Sequence, residues 1–169
     1  MAIVTFPELG AEPAAMIAAA RARYDPLARV LPPHLTIVFP FEPPPAEGWL
    51  VKQLQAVAVD LPSFTIEFSG VSAQPDNYLF LDMSRGADHL VALHDRLYAD
   101  CLAPHRSAQH IYQPHLTVGR LSDRKDVGAA RDAVEQAVAL PMQGTVRSLS
   151  ICCILDEACD VVFTVRLAR

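Results

Sequence analysis

The sequence predicts an α+β fold: a bilobal, pseudo-twofold duplication, with two antiparallel β-sheets lining a central cleft and helices packed outside. Three observations predict it. Short apolar runs of strand-like alternation, bounded by proline or glycine, are separated by stripes with helical spacing. The order of elements repeats, since residues 2–71 and residues 78–151 both read strand, helix, strand, helix, strand. One motif recurs at the same place in each half, as Pro33-His34-Leu35-Thr36 and Pro114-His115-Leu116-Thr117. The expected organisation is one domain over 1–169, with lobes of about 1–73 and 76–155 and a terminal strand over 160–167.

Taken in order, Ala2 to Phe6 reads as a first strand. Pro13 suits the first turn of a helix, whose stripe is Met16, Ile17, Ala20 and Tyr24 and which stops at Asp25-Pro26. The first motif opens a strand over about 34–40, followed by the stiff connector Glu42-Pro43-Pro44-Pro45. Leu50, Leu54, Val57 and Leu61 are spaced as one face of a second helix, which Pro62 ends. Ser63 to Val71 alternates as a strand, and Gln74-Pro75-Asp76-Asn77 is a turn marking the seam between the halves. Tyr78 to Leu81 is the next strand. Asp88 is placed to cap a helix striped by Leu90, Leu93, Leu97 and Cys101. A polar connection over 104–113 leads to the second motif strand, about 115–121. Ser122 or Asp123 opens a last helix, with Val127, Ala130, Val134 and Val138 inward and Pro141 at its end. Residues 145–155 and 161–167 read as two antiparallel strands around an Asp156-Glu157 turn.

Composition bounds the function. With 51% hydrophobic and 20% charged residues the chain is an ordinary globular protein. A formal net charge of −5 argues against sequence-independent binding along a nucleic-acid backbone, yet permits a local basic pocket for one phosphate. Cys101, Cys152, Cys153 and Cys159 form no C-x-x-C pair and read as small buried thiols of a reducing compartment. No apolar run is long enough to span a membrane. The N-terminus reads as a strand and not a signal peptide, so the expected location is the cytoplasm.

The chemistry lies in the motif. Alternation along a strand puts His34 and Thr36 on one face and Leu35 and Ile37 on the other; His115 and Thr117 stand likewise against Leu116 and Val118. Pro33 and Pro114 hold each entry extended. Halves packed about a pseudo-twofold axis bring the two His/Thr pairs across a cleft. An imidazole with an unperturbed pKa of ~6.5 can give or take a proton near neutrality, so one on each side of a reacting centre can act as acid and base. Threonine hydroxyls between them can donate to a non-bridging oxygen of an anion. A tetrahedral phosphorus fits this arrangement.

The paired motif, each copy on a strand and half a chain apart, resembles the paired H-x-T motifs of the 2H phosphoesterases, a superfamily that includes 2'-5' RNA ligase-like proteins and cyclic phosphodiesterases. The resemblance spans nearly the whole chain, including Phe39-Pro40-Phe41, the Tyr78 to Leu81 strand and the leucine-striped helix after it. It implies metal-independent phosphodiesterase chemistry on a 2',3'-cyclic phosphate or a 2'-5'-linked nucleotide or RNA end. On that resemblance His34 and His115 are the general acid/base pair and Thr36 and Thr117 bind phosphate oxygens, with no cofactor. Expected partners are the small nucleotide or RNA-end substrate alone, with no DNA and no membrane, and the chain is expected to be a monomer.

Bland readings apply elsewhere. His89, His94, His105 and His110 read as structural or solvated, and none pairs with a neighbour in a metal-ligand pattern. Phe39 and Phe41 are expected in the core, as is Tyr112, whose alternative is to wall the cleft. Strict alternation from His115 turns Arg120 to the opposite face, and a bulge or the strand's end would be needed to bring it to a phosphate. The alternative function is a binding module that holds a nucleotide or RNA terminus in the same cleft without turnover; a metal-dependent hydrolase ranks last.

Overall fold

The computed structural model describes residues 1–42, 48–99, 102–107, 111–155 and 158–168. The expectations for Pro43-Pro44-Pro45, Cys101, His110 and the Asp156-Glu157 turn lie outside these residues. The elements are β1 (Ala2–Thr5), β2 (Glu8–Leu9), α1 (Ala11–Tyr24), β3 (Leu35–Val38), α2 (Gly48–Ala58), β4 (Phe64–Ala73), β5 (Tyr78–Arg85), α3 (Ala87–Leu97), β6 (His115–Arg120), α4 (Val127–Ala137), β7 (Met142–Val146), β8 (Ser148–Leu155) and β9 (Ala158–Arg166), with short 3-10 turns at Pro26–Arg29, Ala103–His105 and Arg124–Asp126.

The strands form one curled antiparallel sheet in the order β2-β7-β4-β5-β6-β3-β1-β8-β9. The two expected sheets therefore meet, and they meet narrowly: β3 and β6 share a single register pair, Leu35 with Leu116. The order reads symmetrically outward from that pair, β6-β5-β4 on one side and β3-β1-β8 on the other. Third strands are exchanged between halves. β4 pairs with β5 across the turn at Gln74–Asn77, and β8 pairs with β1. The turn expected as a seam is thus a hairpin, closed by Asn77 with a φ of 65° and by the Gln74 N–H donating to the Tyr78 carbonyl at 2.8 Å.

The helices bury their stripes as spaced. Leu50, Leu54 and Val57 of α2, Leu90, Leu93 and Leu97 of α3, and Val127, Ala130 and Val134 of α4 all lie in one core with Leu35, Ile37, Leu116 and Val118. Full burial of such a side chain contributes roughly 1.5–3 kcal/mol, so the aliphatic face of each motif strand is firmly anchored. Asp88 does not cap α3. The cap is Gly86, at φ 82°, because the chain turns directly from β5 into the helix and a Cβ there would lie 2.7 Å from the Thr65 carbonyl oxygen. Asp88 instead meets His89 at 3.1 Å. Asp123 does open the last helical segment, accepting from the Lys125 N–H. The single strand expected over 145–155 is two, broken at Arg147, which pairs with Glu8 at 2.8 Å. Cys152, Cys153 and Cys159 are free thiols, and burial holds Cys152 up to about 12. Among the described residues no helix is long and apolar enough to cross a membrane.

Candidate active site

Both motif strands carry the same irregularity. Val4 pairs with Thr36 but Ile3 with Val38, and Phe80 pairs with Thr117 but Leu79 with Gly119. Ile37 and Val118, each three residues after its histidine, are the inserted residues of two β-bulges. Each strand accordingly shows two consecutive buried residues, Ile37-Val38 and Val118-Gly119, where strict alternation allows one.

Leu35 and Leu116 are buried on the core side of their register pair, so the flanking residues point to the opposite face. That register sets His34 opposite Thr117 and Thr36 opposite His115, and all four side chains are half-buried. The two imidazoles are held alike. A ring Nδ1 meets the carbonyl two residues back in each case, His34 to Pro32 at 2.9 Å and His115 to Gln113 at 2.7 Å. A carbonyl only accepts, so Nδ1 carries the hydrogen and the neutral ring keeps Nε2 as its free basic nitrogen. The proline-restricted entries place those carbonyls.

Burial pushes both histidines below the ordinary imidazole value, opposed in each by the backbone hydrogen bond. For His34 the next influences are Arg21, which lowers it, Asp25, which raises it, and His115, which lowers it; for His115 it is Asp82, which raises it. Arg21 on α1 and Asp25, at its C-terminal cap, form a buried pair with N–O distances of 2.7 and 2.8 Å, and share a surface depression with Pro33.

The walls differ between halves. Phe80 stacks on His115 with centroids 3.5 Å apart and planes at 16°. Phe80 contacts Tyr78 at 5.9 Å, and the Arg120 guanidinium lies 5.1 Å over the Tyr78 ring. Arg120 reaches this face because of the bulge, which pairs it with Tyr78 and reverses the parity that alternation from His115 predicts. The matching bulge on β3 explains Phe39, expected in the core but 37% exposed, with its ring edge-on to Tyr112 and His94. On the other half the wall is apolar: Ala2, Val4 and Cys152 are buried against Phe6, Ile154 and Cys159.

Tyr112 neither lines the core simply nor presents a free ring. Its hydroxyl donates to the Thr36 carbonyl at 2.7 Å, and its ring stacks on His94 at 3.9 Å and 5°. The His94 Nδ1 donates to the Ile37 carbonyl at 2.7 Å. Where β3 and β6 part, these two side chains thus occupy carbonyls that a neighbouring strand would otherwise satisfy. His89 stacks on Phe64 at 4.7 Å and His105 lies 4.9 Å from Phe41, both away from the motif face.

Sequence reasoning missed Phe80, Asp82 and the Arg21–Asp25 pair. The first two were findable, because alternation from Tyr78 puts Tyr78, Phe80 and Asp82 on one face. The α1 pair was visible as an i, i+4 spacing, but nothing in sequence set it near His34.

A model of the 2'-5' RNA ligase superfamily matches residues 7–154. A Bacillus licheniformis protein named "Putative phosphoesterase" is 31% identical over 106 residues, which is 61% of this chain and 62% of the relative. A Bacillus pumilus protein of the same name is 34% identical over 107 residues, 61% of each chain. The chain thus spans about three fifths of the length of the curated relatives it matches. Among solved structures, TT0787 of Thermus thermophilus aligns at a TM-score of 0.65 and 17% identity, over 99% of this chain and 98% of that one. Escherichia coli LigT complexed with 3'-AMP aligns at 0.63 and 18%, over 99% of each. At these identities the structures establish the fold alone. With the fold, the twin bulged H-x-T strands and the matched residues 7–154 in agreement, the chain belongs to the 2'-5' RNA ligase superfamily, the 2H phosphoesterases.

Proposed function

We propose that the protein is a 2H phosphodiesterase that acts without a metal ion on a 2',3'-cyclic phosphate or a 2'-5' linkage of a small nucleotide or RNA end. The observation that carries the reading is the shared register of the two motifs, which gathers two imidazoles and two hydroxyls on one face around a pseudo-twofold axis. Each imidazole keeps Nε2 for proton transfer, and burial favours the uncharged ring in both, so that one added proton gives an acid and a base together. Thr36 and Thr117 donate to the non-bridging oxygens. Water attacks phosphorus on one side as one histidine takes its proton, and the ribose oxygen leaves on the other with a proton from the second.

The curated relatives named as phosphoesterases, and the structures of LigT complexed with 3'-AMP, ATP and phosphate, support a nucleotide-sized phosphate substrate. Tyr78 and Phe80 offer rings to a base, and Arg120 offers a cation to a phosphate oxygen. The formal charge of −5 favours a short substrate over a long RNA strand. The protein acts as a monomer in the cytoplasm, its own two halves supplying the symmetry of the site. The test is incubation with 2',3'-cyclic nucleotides and 2'-5'-linked dinucleotides in excess chelator. Product formation that His34→Ala abolishes supports the proposal. Saturable binding with no product at long times would make the cleft a binding site alone.

A further inference from the structure

The pseudo-twofold that relates the two motifs also breaks at the position facing each histidine. The residue facing His115 across β5 and β6 is Asp82. Its counterpart on the other half is Phe6, which follows the Thr5–Leu35 pair on β1 and meets the His34 ring edge-on at 6.5 Å. One histidine has a carboxylate beside it where the other has a phenyl ring. The carboxylate is fixed: Ser72 on β4 donates to Asp82 Oδ1 at 2.6 Å, and Gln74 donates to the Ser72 hydroxyl at 2.9 Å. Gly70, opposite Asp82 on the same strand pair, leaves room for it, since a Cβ there would come within 3.5 Å of Oδ2.

We infer that Asp82 is a positioning residue that makes the two motif histidines inequivalent, keeping the shared proton on His115 and leaving His34 as the base. Cross-strand neighbours in such a sheet stand about 5 Å apart, close enough for a carboxylate to favour the charged form of the imidazole. Of the other charged groups near the pair, Arg21 and Asp25 act on His34 in opposite senses, and the rest are distant from it. Arg21 on α1 opposes protonation of His34 more than Asp25, at the end of that helix, favours it. β1 contributes Phe6 and β4 contributes Ser72 and Gly70, none of them charged. Arg120, at the far end of β6, lies over Tyr78.

For the proposed reaction, on which the kinetic part rests, this fixes the direction. His34 Nε2 takes a proton from water as the water oxygen bonds to phosphorus. The bond from phosphorus to the ribose oxygen breaks, and that oxygen takes the proton of His115. Exchange with solvent then returns the proton from His34 and reprotonates His115.

The experiment is an NMR titration of the histidine ring protons in the wild type and in Asp82→Asn, which keeps the shape and the acceptor for Ser72. His34→Gln and His115→Gln spectra assign the signals. The expected result is that His115 titrates above His34 in the wild type, and that its midpoint falls by about 0.5 unit or more in Asp82→Asn while His34 moves far less. His34 titrating above His115, or an unmoved His115, overturns the inference whether or not the protein turns over any substrate. In kinetics, the alkaline limb of kcat/KM moves to lower pH in Asp82→Asn and the acid limb stays. With bis(p-nitrophenyl) phosphate, whose leaving group needs no proton, His115→Ala recovers at least tenfold of its loss relative to a cyclic nucleotide and His34→Ala does not. Recovery by His34→Ala instead would reverse the assigned roles. The NMR shift without any turnover would sink the proposed function and leave the charge asymmetry standing.

Discussion

Tyr112 donates its hydroxyl to the carbonyl of Thr36 at 2.7 Å, tying the segment that enters one motif strand to the backbone of the other. The register between β3 and β6 consists of one pair, so this bond, with that from His94 to Ile37, supplies much of what fixes the two motifs relative to each other.

Tyr112→Phe keeps the ring stack and removes that bond. Leaving the Thr36 carbonyl unsatisfied is expected to cost about 1–3 kcal/mol in urea denaturation. Activity should fall through kcat more than KM, since in the proposed reaction Thr36 donates where charge develops. A variant with wild-type kcat would show that the tie does not set the site.

Arg120→Ala is expected to raise KM about tenfold and change kcat less, because on the proposed binding mode the cation over Tyr78 meets substrate and transition state alike. Initial rates over a range of cyclic nucleotide concentrations check it. Unchanged KM would return Arg120 to the role of a surface residue.

Stability is expected to fall as pH drops below about 6.5. His34, His94 and His115 all sit below the ordinary value of 6.5 in the folded protein, desolvation being the largest cause in each. The unfolded chain therefore takes up protons first, and the loss runs from 6.5 down to the folded values. Thermal unfolding between pH 8 and 5 measures it. A melting temperature that rises on acidification would contradict the burial of these rings.

Gly86→Ala is expected to destabilise the protein by about 1–3 kcal/mol without touching the site, since φ is 82° and the new methyl meets the Thr65 carbonyl at 2.7 Å. Chemical denaturation, with rates measured well below the midpoint, separates the two effects. Stability equal to wild type would mean that the turn relaxes.

Much of this was legible in the sequence because it rests on local rules. Helical stripes such as Leu90, Leu93 and Leu97, and alternation within His34-Leu35-Thr36, follow from the geometry of single elements. The rest depends on features that local rules do not reach. A bulge adds one residue and reverses every facing beyond it, so Phe39 was turned the wrong way and Arg120, left open, reaches the motif face by the same device on the other strand. The strand exchange that puts β4 beside β5 and β8 beside β1 depends on pairing across the whole chain. So does the meeting of Ser72 with Asp82. Asp88 was misread because a glycine turn left no place for a side-chain cap.

The central claim is that His34 and His115 work on one phosphate as a pair. The most direct measurement is turnover of a 2',3'-cyclic nucleotide in excess chelator by the wild type, His34→Ala, His115→Ala and the double variant. Each single variant is expected to lose on the order of 10²–10⁴ in rate, and the double variant little more than either. Full activity in His115→Ala, or losses that simply multiply, would contradict it.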